Sequence, residues 1–246
     1  MRTFLAFLYL VLYLILTIPL MIAEWIIGKF NPDLKDRSSL AIVQWGFRCI
    51  LWICGTKITT IGKENIPKDQ AVLYVANHRS IFDIVLCYSQ VPGLTGFLAK
   101  KELKKVPLLN FWIANVHTLF LDRQNIKEGM KTILTAIDLC KNGISIFVFP
   151  EGTRNKTEDP LLPFHDGSFK IATKAGCPIL PVTINHSREI FENQFPWVKK
   201  THVIIEYGKP IPTAELSNEE KRSVSKMAAD VIAETYVKNE QLVINA

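Results

Sequence analysis

At 246 residues the chain is long enough to bury a substantial core and fits one generous α/β domain. Its composition, 48% hydrophobic and 21% charged, excludes an intrinsically disordered chain and a low-complexity fibre. The formal charge of +6 suits an anionic partner, without choosing among nucleic acid, a membrane surface and a phosphorylated substrate.

Residues 4–23 are 20 positions without a charge, and a helix of that length spans roughly 30 Å of hydrocarbon. Arg2 precedes the run, and Glu24 and Lys29 follow it. The run is longer than the apolar core of a cleavable signal, and no small-x-small pattern follows it, so it is expected to stay as a membrane anchor. A second apolar stretch, 40–54, carries Gln44, Arg48, Trp45 and Trp52 and reads either as an interfacial helix or as one buried against the domain. Lys29, Lys35, Arg37, Arg48 and Lys57 follow the first segment, which places the rest of the chain on the cytoplasmic side of the cell membrane.

Beyond residue 56, short apolar runs alternate with helical periodicities. Strands are expected at 57–61, 71–76, 95–99, 116–121, 144–149, 179–184 and 202–207. Helices are expected at 81–89, 108–115, 125–143, 167–175 and 218–238. Asn125 and Glu128 form a capping pair for the third of these, with Gly143 as its stop. The fold class is α/β, a mostly parallel or mixed sheet flanked by helices, with an N-terminal hydrophobic helical anchor. Residues 1–56 form the anchor and 57–246 the catalytic domain. The cysteines at 49, 54, 87, 140 and 177 show no paired spacing and sit among apolar neighbours, so they read as reduced core residues.

The strand 71–76 runs into Asn77-His78-Arg79-Ser80-Ile81-Phe82-Asp83. A titratable His and a carboxylate thus follow a strand end, where open α/β sheets carry their sites. The pair can meet only if His78 lies in the turn and Asp83 in the first helical turn, with Ser80 as N-cap. Two readings stand. Asp83 either caps the helix while His78 is a loop residue, or it orients His78 as a general base. No Gly-x-Ser-x-Gly elbow is present, so the functional reading requires direct attack by an external hydroxyl. Amides at the helix start after His78 are the candidate oxyanion donors.

The strand 144–149 ends in Phe149-Pro150-Glu151-Gly152-Thr153-Arg154, a turn that sets backbone amides beside a guanidinium and can hold a phosphate. Arg123, at another strand end, offers a second guanidinium, although a single Arg is more often a solvated surface residue. Lys100 heads the basic run Lys100, Lys101, Lys104, Lys105, and by its adjacency to a strand end is the member placed to reach a site. His117, His165, His186 and His202 lack metal-ligand spacing, so no metal is expected. The basic residues form no nucleic-acid motif, and the apolar N-terminus favours lipid.

These residues resemble the membrane glycerophospholipid acyltransferase family, in particular its 1-acylglycerol-3-phosphate acyltransferases. Asn77-His78-x-Ser80-x-x-Asp83 resembles the family's first block and Phe120-Leu121-Asp122-Arg123 its second. Phe149 to Arg154 resembles the third and Ile179-Leu180-Pro181-Val182 the fourth. The second block opens on His117 where the family often has Gly. The resemblance implies acid–base work for His78 and Asp83. It implies acceptor-phosphate binding by Arg123, Glu151, Gly152, Thr153 and Arg154, and an acyl-donor or structural role for Pro181, while Lys100 stays a substrate-binding candidate from its place at a strand end alone.

The implied reaction moves a fatty acyl group from acyl-CoA or acyl-carrier protein to the free hydroxyl of lysophosphatidic acid, making phosphatidic acid at a membrane, with no cofactor and no metal. Rival readings are the same chemistry on glycerol-3-phosphate or another lysophospholipid, a membrane-bound esterase, and a non-catalytic binder of anionic lipid.

Overall fold

The computed structural model describes residues 1–122 and 125–243. Three helices open the chain: α1 (Arg2–Leu16), α2 (Ile18–Phe30) and α3 (Pro32–Cys54). The single transmembrane helix expected over residues 4–23 is therefore divided. Among the described residues no single helix is long and apolar enough to cross a membrane, although α1 and α2, bent by 45°, pass that test as a pair. The cause is Pro19, which has no N–H to give the Ile15 carbonyl and whose ring would crowd it. Thr17 sits at the bend, and its hydroxyl accepts the Trp112 indole N–H at 3.1 Å.

The expected segment 40–54 is the C-terminal part of α3, and both readings of it describe one of its faces. Val43, Leu51 and Cys54 are buried, whereas Trp45 and Trp52 are exposed. The helix starts where Asn31 accepts the Leu34 N–H and ends on Gly55 in the left-handed region, a conformation that suits glycine.

Among the described residues seven strands follow: β1 (Lys57–Ile61), β2 (Leu73–Ala76), β3 (Thr95–Lys100), β4 (Leu119–Leu121), β5 (Ser145–Val148), β6 (Ile179–Asn185) and β7 (His202–Tyr207). Their order in the sheet is β1-β7-β6-β2-β5-β3-β4. All neighbours run parallel except β6 and β7, so the sheet is mixed. Helices α4 (Phe82–Tyr88), α5 (Leu109–Asn115), α6 (Ile126–Lys141), α7 (Lys170–Ala175) and α8 (Asn218–Val243) complete the fold. The helix expected at 167–175 is split into a 3-10 turn, Asp166–Phe169, and the short α7.

Strand alternation divides the core between the two faces of the sheet. Tyr74, Ala76, Phe147, Leu180, Val182 and Val203 pack with α3, α4 and α5, while Leu73, Val75, Ile146, Val148 and Ile179 pack with α6, α7 and α8. Helices on both sides explain why the central strands read as uninterrupted apolar runs. All five cysteines are free, four of them buried.

The strand expected at 116–121 is shortened at its start by His117, whose φ of 57° turns the chain through the left-handed region. That conformation suits glycine, and here a histidine takes it. The ring is held by Asp36 of α3, His117 Nε2 lying 2.7 Å from Asp36 Oδ2. Gly96 on β3 is required here, because a Cβ would lie 2.2 Å from the His117 carbonyl oxygen.

Candidate active site

His78 is the second residue past the end of β2, and Asp83 lies in the first turn of α4. His78 Nδ1 is 2.8 Å from Asp83 Oδ2, which also accepts the backbone N–H groups of Arg79 and Ser80, both at 2.7 Å. With three donors converging on one carboxylate oxygen, Nδ1 is the ring nitrogen that carries a proton toward Asp83, and in the neutral ring Nε2 is the acceptor. The spacing of five works because the backbone between the two residues is a tight turn that folds around the carboxylate.

The same turn accounts for its own amides. Arg79 and Ser80 N–H go to Asp83, Ile81 N–H to Glu192 Oε1, Phe82 N–H to Ser80 Oγ and Asp83 N–H to the Ser80 carbonyl. The oxyanion donors expected at this helix start are therefore already committed. The Ser80 hydroxyl is fully buried, donating to Glu192 Oε2 at 2.7 Å and accepting the Phe82 N–H at 3.0 Å, so it braces the turn and is shut off from any substrate.

Neighbouring strands fix the turn. Asn77 exchanges two hydrogen bonds with the backbone of Ile184 on β6, each 2.8 Å. The Phe149 ring stacks on His78 with centroids 4.3 Å apart. The Phe149 ring itself sits at the end of a row of rings, Tyr74, Phe147 and Phe97, stacked across β2, β5 and β3. Arg79 is buried with its guanidinium on the carbonyls of Thr157 and Asp159 and over the Tyr236 ring. No motif flagged Asn77, Arg79, Phe149 or Glu192 for these contacts. Only the last lies outside the blocks, where sequence held no signal for it.

The third block closes around the dyad from the other side. Glu151 Oε1 accepts the His78 N–H at 2.6 Å and Oε2 accepts the Leu162 N–H at 2.8 Å. Burial pushes the Glu151 carboxyl upward, opposed by those two amides and by His78. Both oxygens are spent on backbone, so here Glu151 braces the turn. Gly152 is buried with φ 73°, and Thr153 is exposed. Arg154 donates from one guanidinium nitrogen to Glu192 Oε1 at 3.0 Å.

Lys100 ends β3 and is exposed. It pairs with Leu121 of β4, while β3 pairs on its other side with β5, the strand that leads into the third block. Arg123 lies outside the described residues. Lys101, beside Lys100, is held by Asp122 at 2.8 Å. The fourth block is strand β6, fully buried, and its Pro181 carbonyl accepts the Gly208 N–H.

An apolar cavity of about 390 Å³ opens beside the dyad turn. Ile81, Phe82 and Val85 of the α4 segment line it, together with Tyr13 and Leu14 of α1, Phe47 of α3 and Trp112 of α5. The N-terminal helices thus supply part of its wall. An enclosure of this size and polarity takes hydrocarbon, and each methylene buried contributes about 0.8 kcal/mol.

A histidine oriented by a carboxylate, an arginine tied through Glu192 to the same turn and an apolar cavity beside it make an arrangement that can move an acyl chain onto a hydroxyl. The family model "Acyltransferase" matches residues 57–185, a span that contains all four blocks. The chain belongs to the acyltransferase family. Two curated relatives carry the name 1-acyl-sn-glycerol-3-phosphate acyltransferase. That of Borreliella burgdorferi is 31% identical over 80% of this chain and 78% of its own. That of Haemophilus influenzae is 30% identical over 80% of this chain and 82% of its own. The crystal structure of the 1-acyl-sn-glycerophosphate (LPA) acyltransferase from Thermotoga maritima is similar at a TM-score of 0.76, with 26% identity over 98% of both chains. An acyltransferase of this family is an enzyme, and the non-catalytic reading falls.

Proposed function

We propose that the protein acylates the free hydroxyl of lysophosphatidic acid, using a thioester of CoA or acyl-carrier protein, to form phosphatidic acid. The observation that carries this reading is the His78–Asp83 pair, whose turn borders an apolar cavity through Ile81 and Phe82. Nε2 takes the acceptor hydroxyl proton as the oxygen attacks the thioester carbonyl. The tetrahedral adduct collapses with departure of the thiolate, which receives that proton from the imidazolium. Asp83 stabilises the imidazolium and holds the tautomer.

Arg154, with Lys100, Arg123 and the Gly152–Thr153 turn, grips the acceptor phosphate by charge-assisted hydrogen bonds. The donor's acyl chain fills the cavity. Holding both partners there lets positioning supply much of the rate gain, with base catalysis adding about 10² to 10⁴.

The bilayer surface is the site of action. Outward-facing residues of α1 and α2, including Phe4, Phe7, Leu16, Trp25 and Phe30, leave a broad apolar surface exposed, which suits immersion in lipid. Residues 1–56 act as anchor and 57–246 as catalytic domain, with the catalytic domain on the cytoplasmic side.

The test is transfer of a labelled acyl group in vesicles from acyl-CoA, and separately from acyl-carrier protein, comparing wild type with His78→Ala. Phosphatidic acid from the wild type alone is expected. A His78→Ala variant with wild-type turnover defeats the mechanism, and free fatty acid as the main product points to hydrolysis.

A further inference from the structure

Glu192 stands outside the four sequence blocks, on the 3-10 turn Glu192–Gln194 that follows β6. Its carboxylate receives three hydrogen bonds from two separate parts of the site. Oε2 accepts from Ser80 Oγ at 2.7 Å, and Oε1 accepts from the Ile81 N–H at 2.8 Å and from Arg154 at 3.0 Å. The first two groups belong to the turn that wraps Asp83, and the third is the cation assigned above to the acceptor phosphate. Resting on that assignment, we propose that Glu192 is the positioning residue that holds the phosphate-binding guanidinium at a set distance from the general base.

Several features favour this over a simple helix cap. A cap needs a bond to the Ile81 amide and nothing more, yet the carboxylate also engages a cation from a different loop. Its side chain is 19% exposed against 40% for Arg154, so the better-buried partner anchors the more exposed one. Glu192 takes one of the five guanidinium N–H donors, and no other described residue bonds that side chain. Four donors remain for an oxyanion, enough for a bidentate grip. An unrestrained arginine would have to lose rotamer freedom each time the acceptor bound, whereas a held one has lost it already. The chain of contacts from Arg154 through Glu192 and Ser80 to Asp83 then ends on His78, which sets the acceptor hydroxyl against Nε2.

Kinetics with both substrates varied, on Glu192→Gln, Glu192→Ala, Arg154→Ala and the double variant Glu192→Gln/Arg154→Ala, test this. Glutamine keeps an acceptor for the Ile81 amide and a partner for Ser80, so the turn survives while the negative charge facing Arg154 is lost. Glu192→Gln is expected to raise the acceptor KM about ten-fold, with kcat and the donor KM within about two-fold of wild type. In the Arg154→Ala background the same change adds nothing to the acceptor KM, because its target is gone. Glu192→Ala lowers kcat as well, since Ser80 and Ile81 lose their acceptor.

An unchanged or lower acceptor KM in Glu192→Gln overturns the proposal, a lower value meaning that the carboxylate competes with the phosphate. So do additive effects in the double variant, or a fall in kcat and both affinities together with the melting temperature. If Arg154→Ala itself leaves the acceptor KM unchanged, the phosphate assignment fails and takes this proposal with it. If Arg154→Ala is damaged and Glu192→Gln is not, this proposal fails alone.

Discussion

Asp83→Asn removes the charge of the dyad while keeping its shape, and the geometry sets the size of the effect. The donors from His78, Arg79 and Ser80 converge on Asp83 Oδ2 at 2.8, 2.7 and 2.7 Å. An asparagine meets all three only by placing its oxygen there, which moves the amide nitrogen to the position of Oδ1. Oδ1 is buried and finds no hydrogen-bond partner among the described residues. The amide would therefore be left unsatisfied at about 1–3 kcal/mol, a drop of several degrees in melting temperature for a chain of this size.

The tautomer survives the exchange, because the asparagine oxygen still accepts from Nδ1. What is lost is charge on the bond to the imidazolium. Replacing a charge-assisted hydrogen bond by a neutral one costs roughly 1–1.5 kcal/mol, close to ten-fold in kcat, and the lost ion pair extends this toward a hundred-fold. His78→Ala, which deletes the base, should cost about 10² to 10⁴. Phosphatidic acid formation at saturating substrate, with melting curves on the same preparations, measures both quantities. Wild-type turnover in Asp83→Asn would refute stabilisation of the imidazolium. A loss as deep as that of His78→Ala, without a thermal shift, would refute the tautomer argument.

Gly96→Ala places a methyl 2.2 Å from the His117 carbonyl and should destabilise by about 2–4 kcal/mol, read as a lower denaturant midpoint. An unchanged midpoint would deny that close approach. Val85→Phe builds into the apolar cavity and should shift preference toward shorter acyl donors, by about 0.8 kcal/mol per excluded methylene. Competition between short- and long-chain thioesters measures this, and an unaltered ratio would mean that the chain lies elsewhere. Phe4→Glu with Phe7→Glu changes two exposed residues of α1 and should weaken sedimentation with anionic vesicles at constant melting temperature. Equal sedimentation would remove α1 from the membrane contact.

Elements whose pattern is local were legible in the chain. β1 and β7 fall on the expected residues 57–61 and 202–207, and α6 is capped by Asn125, whose side chain accepts the Glu128 N–H as its spacing implied. Unbroken apolar strands announced a sheet covered on both faces, and the His78–Asp83 spacing announced a turn between strand and helix. These features follow from hydrogen-bonding periodicity and capping, which depend on residues a few positions apart.

Residues 4–23 were misread as one helix because hydropathy counts apolar side chains and takes no account of the missing amide of Pro19. The sequence by itself thus determined the fold class, the family blocks and the residue types of the site. It could not show that Phe149 stacks on His78, that Glu151 spends its carboxylate on backbone, that the amides after His78 are occupied, or that Glu192 joins Ser80 to Arg154. Several of those contacts join distant residues, with Glu192 lying 38 positions from Arg154 and 112 from Ser80, across separate strands and loops. Only the packing of β2 against β5 and β6 brings such residues together, and a one-dimensional pattern carries no record of which distant groups share a hydrogen bond.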